Sequence, residues 1–193
     1  MIDVHPDARG LIFDIDGTLA DTMGIHLQAW KLVGKMHGFD YPEDLFYRLA
    51  GTPTRKIVPI VNERFSLALD VESMVKEKEE AFIKCIRDVR PIEAVARIVR
   101  EYNGKLPMSL GTGGTRDLAI LTMRAIGMDC YFDILVSADD VEHHKPAPDT
   151  FLKCAELMGV EPARCQVFED GEQGLEAARR AGMIPTDVRP YLD

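Results

Sequence analysis

LIFDIDGTLADT, residues 11–22, places three apolar side chains, Leu11 to Phe13, directly before Asp14-Ile15-Asp16-Gly17. A short apolar run that stops at an Asp-Gly pair reads as a buried strand ending in a turn. The same grammar recurs down the chain. Met108 to Leu110 is followed by Gly111-Thr112-Gly113-Gly114, Ile134 to Val136 by His143-His144-Lys145-Pro146, and Gln166 to Phe168 by Glu169-Asp170-Gly171. A fifth apolar run lies at Ile184 to Val188. Helix-like stretches at Thr115 to Ile126, Pro148 to Met158 and Gly171 to Ala181 separate the last four runs. This alternation predicts an α/β fold built on a doubly wound parallel sheet.

One interval breaks the rhythm. From Thr22 to about Asp88 the sequence carries helical periodicity and no convincing strand. Ile25, Ala29, Leu32 and Met36 form one apolar stripe. Ile57, Val58, Val61 and Phe65 form a second, and Val71, Val75, Phe82 and Cys85 a third. The expected organisation is a core made of residues 1–21 and 89–193, with a small all-helical unit, residues 22–88, inserted after the first strand. Its two connections, near Asp21 to Thr22 and Asp88 to Pro91, are expected to lie together as a hinge.

The chain of 193 residues is long enough for one core and a modest insertion. Its apolar fraction of 46% and charged fraction of 28% are those of a globular protein. A net charge of -9 without a basic cluster argues against nucleic acid or an anionic membrane surface as partner. No apolar run approaches the roughly 20 residues of a membrane span, and the N-terminus lacks a secretion signal, so a cytoplasmic monomer is expected. Cys85, Cys130, Cys154 and Cys165 form no CxxC pair and read as free thiols.

In open parallel sheets ligands bind beyond the carboxyl ends of the strands, where four of the five runs carry reactive chemistry. Asp14, Asp16, Glu169 and Asp170 gathered there would repel one another unless a cation were bound. An oxygen-only donor set points to Mg2+. Lys145 adds positive charge, and the glycine-rich segment with Thr112 offers N–H groups and a hydroxyl, a set suited to phosphate. Phosphoryl transfer on a small-molecule phosphate ester is the chemistry implied.

These four segments, in this order, resemble the four signatures of the haloacid dehalogenase superfamily: DIDGT, Thr112, Lys145 in HKPAPDTF, and FEDGEQGLEAARRAGM. The resemblance covers essentially the whole chain. It implies that Asp14 is the nucleophile that becomes an aspartyl-phosphate and that Asp16 is the acid and base. It implies further that Thr112, Gly113 and Lys145 hold the phosphoryl group, and that Asp14, the Asp16 carbonyl and Asp170 hold the metal with Glu169 close by. The helical insertion resembles the small cap of the branch that contains β-phosphoglucomutase and the sugar-phosphate phosphatases. On that likeness His26, Arg55, Lys56 and Lys78 are candidate substrate contacts. Lys78 also stands out by itself, because it falls on the apolar stripe of Val71, Val75 and Phe82 and must reach a polar cavity or a rim. Trp30 reads as packing, His143 and His144 as loop residues, and Glu77, Glu79 and Glu80 as a solvated face.

The loop GTPTRK, residues 51–56, resembles fructose-1-phosphatase-like members more than mutases, so a magnesium-dependent sugar-phosphate phosphatase is the first expectation and a β-phosphoglucomutase-like mutase the second. A phospho-aspartate signalling receiver, or an inactive binding module, is the alternative of another class. Receivers lack a helical insertion after the first strand.

Overall fold

The computed structural model describes residues 2–192. Five parallel strands form one sheet: β1 (Gly10–Phe13), β2 (Met108–Gly111), β3 (Leu135–Val136), β4 (Cys165–Glu169) and β5 (Ile184–Asp187), in the order β3-β2-β1-β4-β5. The first strand is therefore central. Phe13 lies level with Leu110 on one side and Phe168 on the other, so the next residue of each strand, Asp14, Gly111 and Glu169, emerges at one edge.

Strand alternation sends side chains to opposite faces. Leu11, Phe13 and Leu110 join one core with Val95 and Val99 of α5 (Glu93–Tyr102) and Leu118 and Met123 of α6 (Arg116–Ala125). Ile12, Val136 and Val167 join the opposite core with Phe151 and Cys154 of α7 (Asp149–Met158) and Ala177 and Ala178 of α8 (Glu172–Arg180). The doubly wound α/β fold read from the sequence is the one found.

Between β1 and α5 the chain forms α1 (Met23–Met36), α2 (Glu43–Arg48), α3 (Thr54–Phe65), α4 (Val71–Ile83) and a short 3-10 turn, with no named strand among the described residues of that interval. Helix α4 starts where the Asp70 carboxylate accepts the Ser73 N–H at 2.9 Å, satisfying a donor the helix leaves free. It packs on α1 and α3. The outgoing and returning connections run side by side: Asp21 N–H donates to Arg90 at 2.9 Å and Ile92 N–H to Leu19 at 2.8 Å.

Three details differ from the sequence reading. Helix α5 was not anticipated, although Val95, Ala96, Ile98 and Val99 give it a strong apolar face. Helix α2 is only six residues long, too short to show a period. On α1 the buried face is centred on His26, Trp30 and Val33, while Leu32 and Met36 are 47% and 64% exposed. The expected stripe was rotated around the helix, because α4 and Tyr41 cover the His26 and Trp30 side; Trp30 stacks on Tyr41 at 4.7 Å. No helix among the described residues is long and apolar enough to cross a membrane.

Candidate active site

Parallel pairing of β1 with both neighbours brings the ends of three strands to one cavity beneath the helical insertion. Asp14 follows the central strand and is 5% exposed. Its Oδ1 accepts from Lys145 Nζ at 2.7 Å, and the same ammonium donates to Glu169 Oε1 at 3.0 Å. The Lys145 side chain is wholly covered and stands over the Phe151 ring at 4.7 Å. Burial opposes its charge, but the two carboxylates outweigh burial and hold Lys145 above the usual lysine range.

The acids are short of positive charge even so. Asp14, Glu169 and Asp170 each offer an oxygen within 4.8 Å of the others. Burial, then the Glu169 charge, raises Asp14 well above the ordinary carboxylate range despite Lys145. Burial, then Glu169, pushes Asp170 up to about 7. Three oxygen donors this close, two of them driven toward neutrality, fit a hard divalent cation such as Mg2+.

Local sequence shapes this cluster. Gly17 adopts φ +83°, and a Cβ there would stand 2.3 Å from Asp170 Oδ2. The Thr18 hydroxyl donates to Asp170 Oδ1 at 3.0 Å. Glu169 Oε2 accepts the N–H groups of Asp170 and Gly171 at 2.7 and 3.1 Å, which turns its carboxylate back over the start of α8. Thr112 is 2% exposed and its Oγ1 accepts the Gly114 N–H at 3.0 Å.

Asp16 faces a different environment. Its Oδ1 accepts from the Thr22 hydroxyl at 2.7 Å and from His26 Nε2 at 2.9 Å, and His26 Nδ1 lies 2.7 Å from Lys78 Nζ. An ammonium can only donate, so His26 Nδ1 is the acceptor and Nε2 carries the proton. Burial, then the Lys78 charge, keeps His26 below its ordinary value, which agrees with that neutral form. Burial opposes ionisation of Asp16, but His26, Thr22 and Lys78 outweigh it and leave its carboxyl at about 2. Burial brings Lys78 down to about 8.

A sequence profile of the haloacid dehalogenase-like hydrolases matches residues 11–186. The chain belongs to this family. It is 44% identical to the fructose-1-phosphate phosphatase YqaB of Escherichia coli, over 93% of this chain and 96% of that protein. It is 32% identical to a phosphorylated carbohydrates phosphatase of Thermotoga maritima, over 91% and 82% respectively. A β-phosphoglucomutase structure from Clostridium difficile has the same fold, with a TM-score of 0.84 at 22% identity over 93% of this chain and 84% of that one.

In this haloacid dehalogenase-like hydrolase most residues singled out from sequence meet at the cavity: Asp14, Asp16, Glu169, Asp170, Thr112, Gly113, His26 and Lys78 line it. Lys145 lies directly beneath, holding Asp14. Arg55 lines the rim, but its guanidinium pairs with Glu72 on α4, with Nη2 at 2.9 Å from Oε2. Lys56 is exposed and is not among the lining residues, although its charge acts on His144, which is.

Two lining residues were misjudged. Glu79, read as part of a solvated face, accepts from the Thr115 hydroxyl at 3.0 Å and faces the cavity. Its position directly after the inward Lys78 was the available signal. His144, read as a loop residue, also lines the cavity, and its buried Nδ1 has no hydrogen-bond partner among the described residues. Its neighbour His143 is a surface residue whose Nδ1 lies 2.9 Å from Asp149 Oδ2.

Proposed function

We propose that the chain is a magnesium-dependent phosphatase that hydrolyses a small sugar phosphate, fructose 1-phosphate being the first candidate, through a phosphorylated Asp14. The observation that carries this reading is the division of labour between two carboxylates of one loop. Asp14 is clamped by Lys145 at the floor of the cavity, while Asp16 is tied to His26 and, through it, to Lys78. The identity to fructose-1-phosphate and carbohydrate phosphatases supports the substrate class.

In the first displacement an Asp14 oxygen bonds to phosphorus as the bond to the sugar oxygen breaks. Asp16 gives its proton to that departing oxygen. Asp16 rests ionised, so it takes up the proton as the phosphate dianion enters beside it and raises its proton affinity. In the second displacement Asp16 removes a proton from water, the water oxygen bonds to phosphorus, and Asp14 leaves as carboxylate with free phosphate. The Thr112 hydroxyl and the Gly113 N–H hold the phosphoryl oxygens, and Lys145 aims Asp14 and favours its ionised form, which burial and Glu169 oppose.

Asp14, Asp170 and the Asp16 carbonyl would hold Mg2+, with Glu169 beside it; the ion supplies charge neutralisation for the phosphoryl oxygens. Residues 22–88 act as a cap that closes over the sugar about the paired connections at Asp21 and Arg90. Closure excludes water and brings His26 and Lys78 onto Asp16.

The test is phosphate release with and without magnesium across fructose 1-phosphate, both glucose 1-phosphate anomers and 4-nitrophenyl phosphate. Release from a sugar phosphate is expected. Conversion of glucose 1-phosphate to glucose 6-phosphate without release would make the enzyme a mutase, and turnover of no ester would return the reading to a phosphate-binding module.

A further inference from the structure

The lining of the cavity carries more acids than cations. Six carboxylates line the cavity, those of Asp14, Asp16, Glu79, Asp139, Glu169 and Asp170, against two cationic side chains, Arg55 and Lys78. Both cations are engaged: Arg55 with Glu72, and Lys78 with the His26 imidazole that serves Asp16. Of the other cations nearby, Lys145 is consumed by Asp14 and Glu169, and Lys56, close to His144, is exposed to solvent and outside the lining. A divalent metal and one phosphate dianion cancel each other, so the negative balance of the wall persists when both are bound.

Glu79 is the acid placed to act on the rest of the substrate. It comes from the helical insertion, faces the cavity, and is fixed across the cleft by the Thr115 hydroxyl at 3.0 Å. It forms no ion pair among the described residues. Asp139 accepts the Arg116 N–H at 2.8 Å from the opposite side. Carboxylate oxygens have lone pairs left over after one such bond and accept well from hydroxyl groups. The His144 Nδ1, also on the cavity lining, has no partner among the described residues.

Resting on the phosphatase reading above, we infer that Glu79 is a specificity residue that restricts the cavity to monophosphates with an uncharged, hydroxyl-bearing remainder and rejects a second phosphate or carboxylate. A sugar hydroxyl can donate to Glu79, whereas a second phosphate dianion beside Glu79 meets like-charge repulsion with no lining cation free to offset it. Such a wall also disfavours a bisphosphate intermediate, which a phosphomutase must retain.

The experiment compares kcat/KM for fructose 1-phosphate and fructose 1,6-bisphosphate in the native enzyme, Glu79→Gln and Glu72→Gln, with 4-nitrophenyl phosphate as reference. The native enzyme is expected to prefer the monophosphate by roughly a hundredfold, and Glu79→Gln, which keeps the acceptor for Thr115, to narrow that ratio by about tenfold or more. A purely structural role would lower both substrates together and leave the ratio fixed, which overturns the inference. Native turnover of the bisphosphate as fast as the monophosphate also overturns it without recourse to any variant. If Glu72→Gln, which frees Arg55, narrows the ratio and Glu79→Gln does not, discrimination belongs to the Arg55 pairing and the assignment to Glu79 is wrong. Failure to turn over even 4-nitrophenyl phosphate would strike the phosphatase reading itself, a distinct result.

Discussion

Gly174 and Glu169 occupy each other's space: a Cβ added at Gly174 would stand 1.6 Å from Glu169 Oε1. The Glu169 carboxylate folds back over the first turn of α8 because the N–H groups of Asp170 and Gly171 hold it there. That posture lets the other oxygen receive Lys145, which in turn holds Asp14. A glycine outside the cavity lining thus bears on the position of Asp14, the proposed nucleophile.

Gly174→Ala should therefore displace Glu169 and loosen the acidic cluster without disturbing the sheet. The expected outcome is a rise of about 10–100-fold in the magnesium concentration giving half-maximal activity, the range typical when support behind metal ligands is lost. Magnesium titrations of phosphate release check it. An unchanged magnesium requirement would show that Glu169 has no part in holding the metal.

Much of this site was legible because parallel-sheet chemistry is local in sequence: the candidate catalytic residues follow the apolar runs. Asp14, Thr112, Lys145 and Asp170 could be placed without knowing how the strands pair. The helical insertion was harder to read. Helix α1 buries His26 and Trp30 rather than the more apolar Leu32 and Met36, because α4 and Tyr41 meet it on that side. Glu79 and His144 are invisible to composition for a related reason. A carboxylate or imidazole on a helix face or loop looks solvated until another element is laid across it.

Asp170 predicts how stability depends on pH and magnesium. Its carboxyl is pushed up to about 7 in the fold from 3.8 in the unfolded chain, and Asp14 moves in the same direction. Between those values the folded state binds more protons than the unfolded one, so these two acids make stability fall as pH rises. Magnesium must displace the same protons, so its stabilising effect should grow from pH 5 to about 7 and level off above. His26 and His144 are lowered by burial and shift stability the opposite way, but they do so with or without the ion. Melting temperatures with and without magnesium at several pH values isolate the difference. A magnesium shift that is flat with pH would contradict the assignment of Asp14 and Asp170 as its ligands, and Asp14→Asn should reduce the shift while abolishing turnover.

The chain of contacts from Asp16 through His26 to Lys78 predicts substrate-dependent damage. Lys78→Met keeps the length of the side chain and removes its charge, leaving His26 Nδ1 without a donor and Asp16 without the positive charge of Lys78. Protonation of a sugar alkoxide depends on Asp16 far more than departure of a nitrophenolate does. Turnover of fructose 1-phosphate is expected to fall by about a hundredfold and that of 4-nitrophenyl phosphate by less than about tenfold. Equal losses on both would mean that Lys78 acts only by packing.

Gly113 offers a test of whether residues 22–88 must close for sugar-phosphate turnover. A Cβ at this position would stand 2.4 Å from the Gly51 carbonyl oxygen, a backbone atom that cannot turn aside. The same loop is drawn to the core by the Thr52 hydroxyl, which donates to Gln173 Oε1 at 3.0 Å. Gly113→Ala preserves the N–H expected to meet the phosphoryl group and adds nothing to the metal cluster, so its effect should be confined to the seating of the loop. Sugar-phosphate kcat/KM should drop by about a hundredfold, since a displacement near 1 Å can cost that much when reacting groups must be aligned. The magnesium requirement should hold, and 4-nitrophenyl phosphate, which needs less from Asp16, should lose less than the sugar. A variant with native activity on both substrates would show that the loop need not touch Gly113 during turnover, and closure would then have to be sought at the Thr52 to Gln173 and Thr115 to Glu79 contacts.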